Sequence, residues 1–342
     1  RENLMKALAM TGPGKVELID AEEPSPGPGW MKIKIAYSGV STGTEMHMLA
    51  RMNEGAQQFF GYMSGGIVAE VGEGVTMFEV GDRVTGFNYR AHAEYVLGNP
   101  GRTVKVPDEV SLLEAAGSYW IVPSFRGIHR MGLRYFDDVA VVGQGAIGLM
   151  GTQMLSGMSG NLIAADLFQS RLEKAQGMGA THVWNPADPK PEGLPQPHAV
   201  LVATGGEGAF QTACELVRPR GRVSFLRLPD SLPNTDLHGY GYDKDIEFVN
   251  AGQGGMEPDL EYLHRESEGA FTKADEVYPE RWHFRRYIEK AVEMVARKRV
   301  DVPSVISTIE PSTEAPRILE QLYTSPDSFL GIVFRWSGDI EE

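Results

Sequence analysis

The chain has 342 residues, 32 basic and 46 acidic, giving a net charge of −14 with its eight histidines neutral. That length predicts about two domains, and the acidic balance argues against nucleic-acid or anionic-membrane partners. A single cysteine, Cys214, excludes an internal disulfide and any cysteine-cluster metal site. No apolar run reaches the ~18 residues of a membrane span, and residues 1–15 show no signal-peptide pattern, so a cytoplasmic protein is expected.

In chain order, the first third reads as short strands over residues 6–10, 15–19, 31–38, 66–71, 83–86 and 93–97. Pro24, Pro26 and Pro28 forbid a helix between the second and third. Gly72, Gly74 and Gly81-Asp82 mark turns. Many short strands with such turns predict a barrel-like β unit. After Val106-Pro107 the pattern changes. Helices are expected over 112–116 and 124–130, then an apolar run over 139–142 followed by helix to about Met158. A second run at 162–165 precedes a helix over 170–178. Further runs at 199–203 and 222–226 flank a helix over 209–217, in which Cys214 should be buried and inert. Apolar runs alternating with helices predict a parallel sheet. The tail carries an amphipathic helix over 285–297, another from Ser312 to about Tyr323, and a closing strand over 331–336. Residues 258–281 break the strand–helix rhythm and read as an insertion.

The strongest motif is Val139-Ala-Val-Val-Gly143-Gln-Gly145-Ala146-Ile147-Gly148. A bare GxGxxG says little, but this one follows a buried-strand run and opens a helix. Gly143 would make the tight turn, Gly145 would admit a pyrophosphate against the backbone, and Gly148 would allow close helix–strand packing. Asp166, at the end of the next strand, stands where an acid would hold the adenosine ribose. Its charge favours NAD. Arg171 reads equally as a surface cation or a cofactor contact, which leaves NADP open.

Beyond that motif the chain resembles the medium-chain dehydrogenase/reductases, the zinc alcohol dehydrogenase superfamily. The resemblance rests on residues 38–47 (Ser-Gly-Val-Ser-Thr-Gly-Thr-Glu-Met-His), on 61–72, on Val80-Gly-Asp-Arg-Val84, on His92-Ala-Glu-Tyr95 and on Val104-Lys-Val-Pro107. Val202-Ala-Thr-Gly205 and residues 218–223 follow the glycine motif in the same order. It implies an α/β protein with a GroES-like β-barrel domain over 1–120 and 281–342. A Rossmann domain, a doubly wound parallel sheet, would span 121–280. It also implies a small-molecule alcohol or ketone substrate and a homodimer or homotetramer.

The departures bear on the chemistry. The family's metal-ligand cysteine falls on Ser41 or Thr42, its Gly-His-Glu becomes Gly61-Tyr62-Met63, and its later acid is Val122 before Pro123. Zinc takes Cys, His or carboxylate ligands, so the resemblance implies zinc while the residues argue for none. Thr44 and His47 match the family's proton relay, and Glu45 matches an acid behind the ligands, which without metal should become a buried partner for a backbone or arginine group. Tyr62 would act as hydrogen-bond donor or acid–base group, or else fill the space of the metal. Tyr89, Arg90, Tyr119 and Trp120, with His92, fall in segments that line the substrate cleft in relatives. Ala203, Thr204, Ala251, Gly252 and Gln253 match the cofactor's nicotinamide side.

The reading is a zinc-independent NAD(H) oxidoreductase interconverting a secondary alcohol and a ketone, on a sugar, cyclitol or other polyhydroxylated substrate. The Ser-Thr-Gly-Thr-Glu string also resembles the bacteriochlorophyllide hydroxyethyl dehydrogenase branch, which leaves a large ring substrate open. The alternatives are an enoyl or quinone reductase and a non-catalytic nucleotide-binding protein.

Overall fold

The structure, a computed structural model, describes residues 4–205, 207–227, 236, 238–252 and 284–337; Gln253 and the 258–281 stretch lie outside them. The chain divides into two compact units. Among the described residues the first comprises 4–119, 284–298 and 302–337, and the second 120–252 and 299–301.

The first unit begins with β1 (Leu4–Gly12), β2 (Lys15–Glu22), β3 (Met31–Gly39), α1 (Thr42–Ala50) and β4 (Gln58–Phe59). It continues with β5 (Met63–Val71), β6 (Arg83–Phe87), β7 (Tyr95–Gly98), β8 (Thr103–Lys105) and α2 (Leu112–Ser118). One sheet has the order β2-β1-β4. β3 pairs antiparallel with β5 along its length, with β7 through Met31–Lys34 and with a late strand through Tyr37–Gly39. Bulges at Lys32/Ile33 and Ile35/Tyr37 interrupt its pairing with β5 and bend the strand, letting one strand serve both neighbours. The core gathers Leu8, Met10, Met31, Ile33, Ile35 and Phe334. α2 starts at a capping box: Ser111 Oγ accepts from Glu114 N at 3.2 Å, and Glu114 Oε2 accepts from Ser111 N at 2.9 Å.

The second unit holds α3 (Ile121–Met131), β9 (Val139–Val142), α4 (Ala146–Ser156), β10 (Leu162–Ala165), α5 (Gln169–Gly177) and β11 (His182–Trp184). It ends in β12 (Ala199–Val202), α6 (Glu207–Leu216), β13 (Arg222–Phe225) and β14 (Glu247–Asn250). Its six strands are parallel, in the order β11-β10-β9-β12-β13-β14. That is the doubly wound order whose direction reverses between β9 and β12, where such sheets bind ligands beyond their carboxyl ends. All four residues of β9, β10 and β12 are buried, as a sheet covered on both faces requires. Lys244 Nζ donates to the Cys214 and Val217 carbonyls at 2.7 and 2.8 Å and closes the end of α6. Cys214 is buried, and burial pushes its thiol up to about 12.

The chain then returns to the first unit with α7 (Phe284–Ala296), β15 (Ile306–Pro311), α8 (Ala315–Thr324) and β16 (Gly331–Arg335). β16 is the late strand on β3, so the larger sheet runs β15-β16-β3-β5-β6-β8, with β7 also on β3. The fold is thus α/β, with a GroES-like unit and a Rossmann-like parallel sheet. Helix α3 starts before its expected position because Pro123 sits in its first turn, where no intrahelical donor is needed. Six of these elements carry no sequence expectation: α1, β4, β8, β11, β14 and β15.

Candidate functional site

In the second unit the glycine motif forms a tight turn from β9 into α4. Gly143 has φ +91°, and a Cβ on Gly148 would stand 1.8 Å from the Gly143 carbonyl oxygen. Only glycine lets the helix start this close to the strand end. A Cβ on Gly145 would meet nothing within 4 Å, so the backbone there faces open space. Gly145 is the N-cap of α4 and offers no side chain to it. The first amides of the helix, at Ala146, Ile147 and Gly148, therefore keep donors with no capping side chain. The buried Gln144 fixes the loop from below: its Nε2 donates to Val141 O at 2.9 Å and its Oε1 accepts from Thr152 at 2.9 Å.

Asp166 follows β10 and is buried. Its Oδ2 accepts from Gln144 N at 2.6 Å and its Oδ1 from Phe168 N at 2.9 Å. The carboxylate thus ties the glycine loop to the neighbouring strand, a role the sequence did not announce. Arg171 Nη1 lies 4.0 Å from Asp166 Oδ2, with its guanidinium over the Phe168 ring at 4.7 Å. Beyond β12, Ala203 N donates to Val142 O at 2.8 Å, and the Thr204 side chain covers Gly143. Ala251 is buried at the end of β14; Gly252 N donates to Asn250 Oδ1 at 2.9 Å and Gly252 O accepts from Arg126 at 3.2 Å. The structure therefore brings Gly143, Gly145, Ala146, Ile147, Gly148, Asp166, Arg171, Ala203 and Thr204 to the carboxyl ends of β9, β10 and β12. Ala251 and Gly252 stand two strands beyond β12 on the same edge.

In the first unit, the segment 42–50 is the helix α1. Thr44 and His47 are three residues apart on it and so neighbours on one face. The N-cap is Ser41, yet its side chain makes no cap hydrogen bond. The Ser41 hydroxyl hydrogen-bonds the Tyr62 phenol instead, as does that of Thr44. Three hydroxyls from two segments thus converge. Burial pushes the Tyr62 phenol up to about 12, the charge of Glu45 adds to this, and the two hydroxyl contacts pull the other way.

Tyr62 also heads an aromatic cluster. Its ring lies 4.7 Å from Phe87 and 5.8 Å from Tyr119, and Phe87 lies 5.1 Å from both Tyr89 and Phe284. The Arg102 guanidinium stands 5.7–5.8 Å from Phe87, Tyr89 and Phe284. Tyr89 is exposed and Tyr119 buried. Arg90 is outside this cluster, 5.5 Å over the Phe59 ring, with φ +67°. Trp120 is wholly buried as the N-cap residue of α3, in the second unit. Phe87, Arg102 and Phe284 were not singled out in the sequence, whereas Ser41 was, with Thr42, as a residue at the family's metal-ligand cysteine position.

His92 is fully buried behind this cluster. Its Nε2 lies 3.3 Å from Glu45 Oε2, so the partner of Glu45 is a histidine rather than a backbone or arginine group. Among the described residues, no three His, Cys, Asp or Glu side chains are grouped to hold a metal ion. No described helix is long and apolar enough to cross a membrane.

Residues 27–119 match the alcohol dehydrogenase GroES-like domain, and residues 146–240 match the zinc-binding dehydrogenase family. The chain belongs to the medium-chain dehydrogenase/reductase superfamily. An alcohol dehydrogenase of Geobacillus stearothermophilus is 27% identical over 259 residues, covering 64% of this chain and 75% of that one. A sorbitol dehydrogenase of Halalkalibacterium halodurans is 27% identical over 265 residues, covering 66% and 77%. Among solved structures, one from Escherichia coli CFT073, described as a short chain alcohol dehydrogenase complexed with NADH, superimposes with a TM-score of 0.78. It covers 97% of this medium-chain dehydrogenase/reductase and 99% of its own chain, at 18% identity, a likeness of fold.

Proposed function

We propose that this chain interconverts a secondary alcohol and a ketone with NAD(H), on a polyhydroxylated substrate, without a catalytic metal. Its class, an NAD(P)-dependent oxidoreductase acting on CH–OH groups, follows from its family and relatives. The observation that carries the finer reading is the convergence of the Ser41, Thr44 and Tyr62 hydroxyls.

The family implies zinc, and the donors present do not fit it. At the family's ligand positions this chain offers Ser41 or Thr42, Tyr62, Met63 and Val122. Hydroxyls, a thioether and an alkyl group do not make a zinc site. The His92 imidazole and the Glu45 carboxylate are paired with each other. No step is therefore drawn through a metal.

The glycine cradle fits a dinucleotide. The α4 amides would hold its pyrophosphate, and Asp166, while bracing the loop, would accept from a ribose hydroxyl and disfavour a 2′-phosphate. Bound there, the nicotinamide supplies hydride transfer to or from the substrate carbon.

The chain's own task is the oxygen. With its phenol pushed up to about 12, Tyr62 is protonated at pH 7 in all but about one molecule in 10⁵. That favours Tyr62 as a hydrogen-bond donor to the substrate oxygen rather than as its base. In the oxidising direction the substrate hydroxyl gives its proton to the Thr44 oxygen, and Thr44 gives its own to a ring nitrogen of His47, one turn on. Tyr89 and Tyr119, on the aromatic side of Tyr62, would pack on the substrate. Homodimeric or homotetrameric assembly and a cytoplasmic location belong to the same proposal.

The test is absorbance at 340 nm with NAD and a panel of sugars, cyclitols and simple alcohols, after exhaustive chelation. Reduction of NAD by polyols supports the reading. Silence on the panel together with NADH oxidation by enones would replace it with C=C reduction.

A further inference from the structure

A buried chain of polar groups stands behind Tyr62. Trp336 Nε1 donates to Ser38 Oγ at 2.7 Å, and Ser38 Oγ lies 2.7 Å from His92 Nδ1. His92 Nε2 lies 3.3 Å from Glu45 Oε2. With the Ser38 hydroxyl donating to Nδ1, the ring carries its hydrogen on Nε2, which donates to the carboxylate. Ser38, His92 and Glu45 are each no more than 1% exposed. Glu45 Oε1 has no hydrogen-bond partner. The carboxylate is thus held from one side only. An aromatic cage of Phe60 at 4.9 Å and Phe334 at 5.9 Å fixes the imidazole.

The same ring locates the backbone that carries Tyr62. Gly61 has φ +88°, and a Cβ there would stand 2.6–2.7 Å from His92 ring atoms. Position 61 is glycine because the imidazole occupies its side-chain space. Asn88 N donates to Tyr62 O at 3.0 Å and Ala91 N to Gly61 O at 3.2 Å, which fixes this strand end further. His92 therefore touches both determinants of the phenol: the main chain beneath it and the charge beside it.

We propose that His92 and Glu45 form a buried couple that positions Tyr62 and holds its phenol as a hydrogen-bond donor, with Ser38 and Trp336 fixing the orientation of the imidazole. The couple acts through Tyr62 and touches no reacting atom. Its functional half rests on the reading of Tyr62 given above. The titratable and charged groups around the phenol are Glu45 from α1, Tyr89 beyond β6, Tyr119 beyond α2 and the Arg102 guanidinium over the Phe87 and Tyr89 rings, with His92 behind Glu45. Of these, Glu45 is the largest charged influence on Tyr62.

Two measurements test it. The first needs no substrate: NMR of the full chain labelled with ¹³Cζ-tyrosine, the Tyr62 resonance being the one missing from Tyr62→Phe. In the native protein it should keep its phenol position at pH 10.5, where exposed tyrosines are already ionising. In Glu45→Gln it should titrate at a lower pH, because the destabilising charge is gone while the side-chain shape remains. An unchanged titration overturns the proposal. The second is a double-mutant cycle in kcat/KM. Glu45→Gln should cost about tenfold in the native background and less than about twofold in Tyr62→Phe. Equal losses in both backgrounds mean a merely structural role and also overturn it. His92→Gln, whose amide can still donate to Glu45, should retain more activity than His92→Leu, and it serves if the leucine variant does not fold. If Tyr62→Phe is as active as the native protein, the reading of function falls, and the couple stands or falls on the resonance alone.

Discussion

The glycine cradle and the hydroxyl cluster differ in what they are made of. In the second unit the candidate binding groups are main-chain amides at the start of α4, shaped by absent side chains at Gly143, Gly145 and Gly148 and braced by Asp166. In the first unit they are side-chain hydroxyls from α1 and the start of β5, set by a histidine that no glycine pattern announces. A backbone site tolerates change at surrounding positions but fails at a single glycine. A side-chain site can trade one set of groups for another while the fold around it stays.

The largest effect should come from breaking the cradle. Gly148→Val puts a side chain where even a Cβ meets the Gly143 carbonyl at 1.8 Å. Calorimetric titration with NADH should show affinity reduced about 100-fold or more, near 3 kcal/mol; affinity kept within threefold would mean that the loop does not hold the nucleotide. Next comes Tyr62→Phe. It should lower kcat/KM by about 10²–10³, the usual cost of removing one donor to a developing oxyanion, and leave NADH affinity within about twofold. A parallel loss of NADH affinity would show that the two regions are not separable in this way.

How far each region was legible follows from the same difference. The cradle could be read because its rule is written in glycine spacing after an apolar run, and Asp166 fell at the expected strand end. Its second task, accepting from Gln144 N and Phe168 N, could not be read, since no residue pattern encodes a carboxylate turned onto a loop. In the first unit Tyr62 and Thr44 were singled out only through the family's motif positions. The Glu45–His92 pair, separated by 47 residues, needs the folded sheet to meet. Helix α1 was hidden by Gly43 and two threonines, all poor helix formers. β11 and β15 were missed because a three-residue edge strand and a half-exposed one show no strong apolar run.

Smaller changes sharpen the contrast. Asp166→Ala should weaken NADH binding about tenfold and also lower stability by about 2–3 kcal/mol, because one buried and one part-buried amide lose a charged acceptor. Denaturant unfolding separates this from a residue serving the ribose alone, whose loss would leave stability unchanged. The smallest expected effect concerns two N-cap serines of the first unit. Ser111→Ala breaks a complete capping box and should cost about 1 kcal/mol. Ser41→Ala breaks no cap hydrogen bond but removes a buried partner of the Tyr62 phenol, so it should cost about 0.5–1.5 kcal/mol while kcat/KM falls about tenfold. A stability loss with kcat/KM unchanged would show that Ser41 serves the fold and not Tyr62.

The measurement that bears most directly on the account is the rate of NAD reduction by the best polyol of the panel, in native protein and Tyr62→Phe side by side. Both are stripped of metal by exhaustive chelation, then titrated with zinc. The account predicts full native activity without metal, no gain on adding zinc, and a deep loss in Tyr62→Phe at every zinc level. Native activity that appears only as zinc is restored, with Tyr62→Phe following the same curve, would contradict it.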